Sequence, residues 1–185
     1  MKLRQWQYEC IKSALSKFQS GSKAFLVQAT PGAGKTYMAA ALSNELIRAN
    51  LIDYVLCFSP SKTVSDSIKE TFERVLKRGM SGTLGDVGAV FTYQYLSSGQ
   101  PERFNNLFKS RVFVIFDEIH HAAGDDETSS NSWGREILAR ISQHATYILS
   151  MTGTPWPSDK LPIALAQYVI PEGVCSGQEK LATGL

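Results

Sequence analysis

Apolar residues in this chain come in short unbroken runs, separated by longer stretches in which they recur at helical spacing. Runs at Ala24 to Val27, Tyr54 to Phe58, Val87 to Phe91, Val112 to Phe116 and Tyr147 to Leu149 are mostly too continuous for strands with one wet face. They read as buried parallel strands. Trp6, Cys10, Ala14, Leu15 and Phe18 share one helical face between Leu3 and Gln19, and Gly21 supplies a stop. Further helices are expected over Lys35 to Arg48, Thr63 to Lys77 (Val64, Ile68, Phe72, Val75 and Leu76 on one side), near Pro101 to Phe108, and over Trp133 to Ser142 with Ile137 and Ile141. Repeated βα units predict a three-layer α/β fold, an open and mainly parallel sheet with helices on both faces. Such sheets bind ligands at the carboxyl ends of their strands.

Composition narrows this picture only in part. A chain of 185 residues, 43% hydrophobic, can bury one core and is too short for two domains of nucleotide-binding size. Residues 1–157 are expected to form the domain and 158–185 an extension or linker, with Ile163 to Ile170 structured and Cys175 to Leu185 mobile. Gly79 to Gly88 and Asp125 to Ser132 read as exposed loops. A net charge of +2 and a pI near 8.4 neither require nor exclude a nucleic-acid partner, so any such surface must be local. Cys10, Cys57 and Cys175 are odd in number and unpaired in sequence, against a disulfide framework or a zinc site. With no apolar segment behind Met1 and no run approaching the ~20 residues of a membrane span, a cytoplasmic location without a membrane partner is expected.

The chemistry enters at Ala29-Thr30-Pro31-Gly32-Ala33-Gly34-Lys35-Thr36, which joins the first strand to a helix. A glycine-rich turn opening into a helix aims backbone N–H groups and the positive end of the helix dipole at one point, which suits a polyphosphate. Gly32 and Gly34 let the backbone approach the ligand, Lys35 can reach the β- and γ-phosphates, and the Thr36 hydroxyl is placed to ligate Mg²⁺. Ala29 stands where the common form of this loop has glycine.

A second element follows the strand Val112 to Phe116: Asp117-Glu118-Ile119-His120-His121. Asp117 can hold Mg²⁺ opposite Thr36, and Glu118 can orient and deprotonate the water that attacks the γ-phosphate. His120 and His121 lack the companions of a zinc site and read as polar groups on the γ-phosphate side. A third element, Ser150-Met151-Thr152-Gly153-Thr154-Pro155, follows a short apolar strand; its hydroxyls can bond to the acidic segment, although such a sequence also makes a plain turn.

In order and spacing, Leu3 to Pro155 resembles the first motor domain of superfamily 2 helicases and translocases, most closely the DExH branch that includes the helicase-like subunits of type III restriction enzymes. The resemblance implies a RecA-like P-loop NTPase fold. It implies that Gln7 in Leu3-Arg4-Gln5-Trp6-Gln7 reads adenine with Arg4 beside it, and that residues Thr30 to Thr36 bind ATP. Lys35, Asp117, Glu118 and His120 become the catalytic set, with Thr36 and Asp117 on Mg²⁺. Pro60, Ser61, Lys62 and Thr92 are implied to face DNA or RNA, and Thr152 and Thr154 to couple the two sites. The family closes its ATP cleft with a second RecA-like domain that supplies arginines, and the roughly thirty residues after Pro155 cannot bury such a core. Weak hydrolysis and weak, salt-sensitive nucleic-acid binding are therefore expected of this chain alone. An ATP-gated interaction module without sustained turnover, or a small-molecule P-loop kinase, would use the same Lys35-Thr36 pair; the kinase leaves Gln7, the Asp117-Glu118-Ile119-His120 run and Thr152-Gly153-Thr154 unexplained.

Overall fold

A computed structural model of the protein describes residues 2–97, 109–118, 141–153 and 174–176. Helix α1 (Gln5–Gln19) is followed by β1 (Ala24–Gln28), α2 (Lys35–Arg48), β2 (Tyr54–Ser59), α3 (Lys62–Leu76), β3 (Gly88–Thr92), the short α4 (Tyr93–Ser97), β4 (Val112–Asp117), β5 (Tyr147–Thr152) and β6 (Val174–Ser176). The strands form one sheet in the order β3-β2-β4-β5-β1-β6, and every pairing between them is parallel. All their carboxyl ends therefore lie along one edge.

Period-two alternation along these strands feeds two apolar layers. Phe25, Val27, Val55, Cys57, Phe113, Ile115, Leu149 and Met151 face the layer that holds α1, α2 and α3, contributed by Ile11, Phe18, Met38, Leu42, Ile68 and Phe72 among others. Leu56, Phe58, Val112, Val114, Phe116 and Ile148 face the opposite layer, which is covered by Ile141 and Ala145 and by Tyr93 and Tyr95 of α4. Truncating a fully buried residue such as Phe72 or Leu42 to alanine removes support worth about 2–5 kcal/mol. The helices end where chemistry dictates. Ser61 accepts a hydrogen bond from Val64 N–H at the start of α3, and Lys77 closes it in the left-handed region.

Several expectations shift. β5 does not stop at Leu149: Ser150, Met151 and Thr152 continue the ladder opposite Leu26, Val27 and Gln28, so the third element begins inside a strand. Ser150 and Thr152 are buried, and polar residues in a buried strand mimic a loop in sequence. Val174–Ser176 pairs with Leu26, Val27 and Gln28 where a mobile tail was expected, because β1 offers a free edge on that side. β3 begins at Gly88 and α3 at Lys62, one residue from their predicted starts. Residues 79–87 form a tight loop, exposed over 81–85 but with Met80 and Val87 buried at its ends, closed by Asp86, which accepts from Ser81 N–H, Thr83 N–H and Thr83 Oγ1. The helix expected near 101–108 and most of that over 133–142 lie outside the described residues, as do 125–132 and 163–170; 141–144 are helical.

At the amino edge of the sheet, Arg111 binds Asp53 through Nε (3.0 Å), Nη2 (2.6 Å) and its backbone N–H (2.9 Å), and donates to both the carbonyl and side chain of Asn50. These bonds hold the Asp53 carboxyl down at about 2, against an ordinary 3.8. Because the folded value is lowered, the stabilisation is complete above the ordinary value and fades as pH falls toward 2. We expect Asp53→Asn to lower the melting temperature only slightly at neutral pH, because the pair is exposed and screened, with the gap to wild type closing between about pH 4 and pH 2 in thermal denaturation.

Candidate functional site at the carboxyl edge

The loop from β1 to α2 is built on two left-handed glycines, Gly32 (φ 77°) and Gly34 (φ 92°). Gly34 caps α2, whose amino end carries no side-chain cap, so its first-turn N–H groups are not taken up by a capping residue. A Cβ on Gly34 would lie 2.7 Å from Gln7 Nε2. Ala29 directly follows β1, donates its N–H to Thr152 O at 3.1 Å, and lies outside the left-handed region. That accounts for alanine at a position where glycine is usual.

Two contacts tie the first turn of α1 to this loop. Gln7, buried at 3% exposure, donates from Nε2 to Gly34 O (2.9 Å) while its Oε1 accepts from Arg4 N–H (2.9 Å). The Arg4 guanidinium reaches Ala33 O at 3.2 Å. Thr30, Pro31 and Gly32 are exposed at the tip of the loop, and Thr36 is half-buried in the first turn of α2.

The loop and the acidic segment meet. Lys35, 8% exposed, donates from Nζ to Ala29 O (2.9 Å) and to Glu118 Oε1 (3.1 Å). The other carboxylate oxygen of Glu118 accepts from Gly153 N–H at 2.7 Å. Glu118 itself sits at φ 49°, a left-handed conformation that costs a non-glycine residue about 1–3 kcal/mol and needs surrounding bonds to hold it. Asp117, 7% exposed at the end of β4, has its carboxyl pushed up to about 6, first by burial and then by the Glu118 charge; Lys35 and the Glu118 backbone pull it part of the way back. Its backbone carbonyl accepts from the Tyr93 hydroxyl at 2.9 Å. Burial and the charges of Asp117 and Glu118 push that phenol well above its ordinary value, so it stays a neutral donor.

Pro60, Ser61 and Lys62 follow β2, and Thr92 ends β3, with Ser59 and Thr92 paired in register. These residues share the edge with the phosphate-type loop but occupy its far side, with β5 and β4 standing between them and β1. Lys62 is engaged in an exposed ion pair with Asp66. Thr152 is buried in β5; His120, His121 and Thr154 lie outside the described residues. Among the described residues no group of three or more His, Cys, Asp or Glu side chains forms a metal cluster. Thr36 and Asp117 offer hard oxygen donors of the kind Mg²⁺ takes. Sequence reasoning assigned no role to Gly153 N–H, Ala29 O or Tyr93. Backbone groups carry no signal of their own in a sequence, while Tyr93 was visible as the neighbour of Thr92.

A parallel sheet with a glycine loop after β1 and an acidic pair at the end of β4 has the architecture of a RecA-like P-loop domain. Residues 1–156 match the family described as type III restriction enzyme, res subunit, and the chain belongs to that family. It is 30% identical over 176 residues to the uncharacterized protein ML1624 of Mycobacterium leprae, covering 91% of this chain and 28% of that protein. Against the uncharacterized protein Rv2917 of Mycobacterium tuberculosis it is 29% identical over 177 residues, covering 90% of this chain and 27% of that one. The chain thus spans little more than a quarter of these relatives. In fold it is similar to the Sulfolobus solfataricus SWI2/SNF2 ATPase core in complex with dsDNA, with a TM-score of 0.65 and 16% identity over 84% of this chain and 32% of that one.

Gly153 offers a direct test of the junction. A Cβ there would lie 2.9 Å from both Glu118 Oε1 and Lys35 Nζ, the far ends of two flexible side chains. Gly153→Ala should therefore crowd both atoms, and its crystal structure should show Lys35 and Glu118 separated beyond about 4 Å, with some loss of stability because the pair is largely buried. An unchanged ion pair in that structure would contradict the crowding.

Proposed function

We propose that this chain is the ATP-binding half of a superfamily 2 nucleic-acid helicase or translocase, residues 1–157 forming the motor domain and 158–185 leading toward a second one. The observation that supports this most is the 3.1 Å contact between Lys35 Nζ and Glu118 Oε1, which joins the glycine loop and the acidic pair into one site. Thr36 and Asp117 are the residues that would hold Mg²⁺, and the buried Asp117 carboxyl, costly to ionise without a nearby cation, fits that assignment. The ion supplies charge neutralisation to the phosphates when bound.

The chain's own groups then divide the work. Lys35 leaves Glu118 for the β- and γ-phosphates, which releases Glu118 Oε1 to take a proton from the attacking water. Gly153 N–H keeps the second oxygen in place. Gln7 has one amide hydrogen and one carbonyl lone pair beyond those committed to Gly34 and Arg4, the donor and acceptor pair that adenine N7 and N6 require. Guanine presents two acceptors there and fits poorly. His120, by family resemblance, completes the γ-phosphate side, and Thr152 and Thr154 couple it to the strand that Pro60, Ser61, Lys62 and Thr92 contact. The structurally similar SWI2/SNF2 ATPase core is in complex with dsDNA, which supports a nucleic-acid partner. Full turnover awaits a second RecA-like domain in cis or in trans, whose arginine is worth roughly 10³ to 10⁵ in rate in comparable NTPases.

Lys35→Ala should abolish ATP binding in calorimetry. Glu118→Gln should leave ATP affinity within about twofold of wild type and lower hydrolysis by about 10² or more, measured with a second motor domain supplied. Equal phosphate release by wild type and Glu118→Gln removes Glu118 as the base. Nucleotide binding without stimulation by DNA or RNA points to an interaction module.

ATP should bind at least about tenfold more tightly than GTP, and Gln7→Ala should erase that preference. Equal affinities for the two nucleotides in the wild-type chain exclude Gln7 as the reader of the base.

A further inference from the structure

Tyr93 stands apart from every role assigned so far. It begins α4 immediately after Thr92, at the end of β3, yet its hydroxyl donates to the carbonyl of Asp117, at the end of β4. β3 and β4 are not neighbours, since β2 lies between them. The Tyr93 side chain thus crosses a whole strand, and the ring that carries it over β2 is Phe58. The two rings stack at 6.4 Å with 20° between planes, and Phe58 stacks in turn on Phe116 of β4 at 5.6 Å. Sheet pairing links these strand ends through the backbone of β2, and the aromatic column adds a side-chain link across it.

The bond falls on the peptide at which the backbone leaves extended geometry. Asp117 is the last residue of β4, and Glu118 directly follows in the left-handed region at φ 49°. Rotation of the Asp117–Glu118 peptide would swing the Glu118 carboxylate away from Lys35 Nζ and Gly153 N–H. Holding the carbonyl of that peptide holds the carboxylate.

We propose that Tyr93 is a positioning residue: its hydroxyl, anchored on the Phe58 stack, fixes the peptide between Asp117 and Glu118 and so sets the Glu118 carboxylate. On the function proposed above, this bond also links the segment that follows β3, where Thr92 would meet a nucleic-acid strand, to the carboxylate that activates water. A strand pressing on Thr92 moves its immediate neighbour, and that neighbour holds the hydrolytic peptide.

Tyr93→Phe keeps the ring and removes only the hydroxyl, whereas Tyr93→Leu removes both. The amide hydrogen of Gly153, bonded to Glu118 Oε2, reports the carboxylate without any nucleotide. In the full chain, Tyr93→Phe should melt like wild type yet exchange the Gly153 amide at least about tenfold faster. With a second motor domain and a DNA or RNA oligonucleotide supplied, kcat for ATP should fall about fivefold or more with KM within about twofold. If only Tyr93→Leu speeds Gly153 exchange, the ring packs and the hydroxyl positions nothing, and the inference fails. Should Tyr93→Phe not fold, the wild-type hydroxyl proton decides. A slowly exchanging signal seen by NMR supports the bond to Asp117 O, and a freely exchanging one overturns it. If neither protein hydrolyses ATP, the Gly153 result still judges Tyr93, and it is the motor reading that fails.

Discussion

Parallel pairing is the constraint from which the site follows. Lys35 and Glu118, 83 positions apart, reach one another because β1, β5 and β4 are adjacent and end at the same level. Gln28 lies opposite Thr152 and Met151 opposite Asp117, so the three segments that leave these strands emerge side by side along one edge. An antiparallel β5 would send Gly153 to the far edge and leave Glu118 Oε2 without its backbone donor. The ion pair is thus a consequence of register before it is a matter of side-chain chemistry.

Burial sharpens that geometry and also makes it costly. β4 is buried along its whole length and ends in a carboxylate whose ionisation is penalised by its surroundings. A folded carboxyl that titrates near 6 carries its charge at neutral pH at some expense to stability, because the unfolded chain would ionise it more readily. The left-handed Glu118 adds local strain at the next residue. Strain and an under-compensated charge at consecutive positions are held in place by bonds from Lys35, Gly153 and Tyr93, each arriving from a different element.

Much of this was legible in the sequence, and the exceptions have physical causes. The apolar runs marked β1, β2 and β4 almost to the residue: β2 and β4 are buried on both faces and leave no polar interruption, and β1, buried only at alternate positions, carries alanine and leucine at Ala24 and Leu26 on its half-buried face. The same rule misplaced the end of β5, since Ser150 and Thr152 are buried polar residues that continue a ladder. β6 escaped notice because three residues hold no periodicity, and what recruits them is the open edge of β1. Lys35 and Glu118 were legible as types at the right strand ends. Their mutual contact depended on strand order, which no local pattern encodes. Gly153 acts through its N–H and through the absence of a Cβ, and a backbone role of that sort is invisible until the fold is known.

The order β3-β2-β4-β5-β1 also divides labour along the edge. The glycine loop and its α1 latch occupy the β1 end, while Pro60, Ser61 and Thr92 occupy the β2 and β3 end. The acidic pair of β4 lies between the two groups and is gripped from both sides, by Lys35 and Gly153 on one and by Tyr93 on the other. Backbone pairing holds the two ends at a fixed spacing, so the carboxylate between them is set by side chains and backbone groups that reach in from either end. Glu118 depends on these bonds, because a left-handed backbone is unfavourable for a residue that carries a side chain.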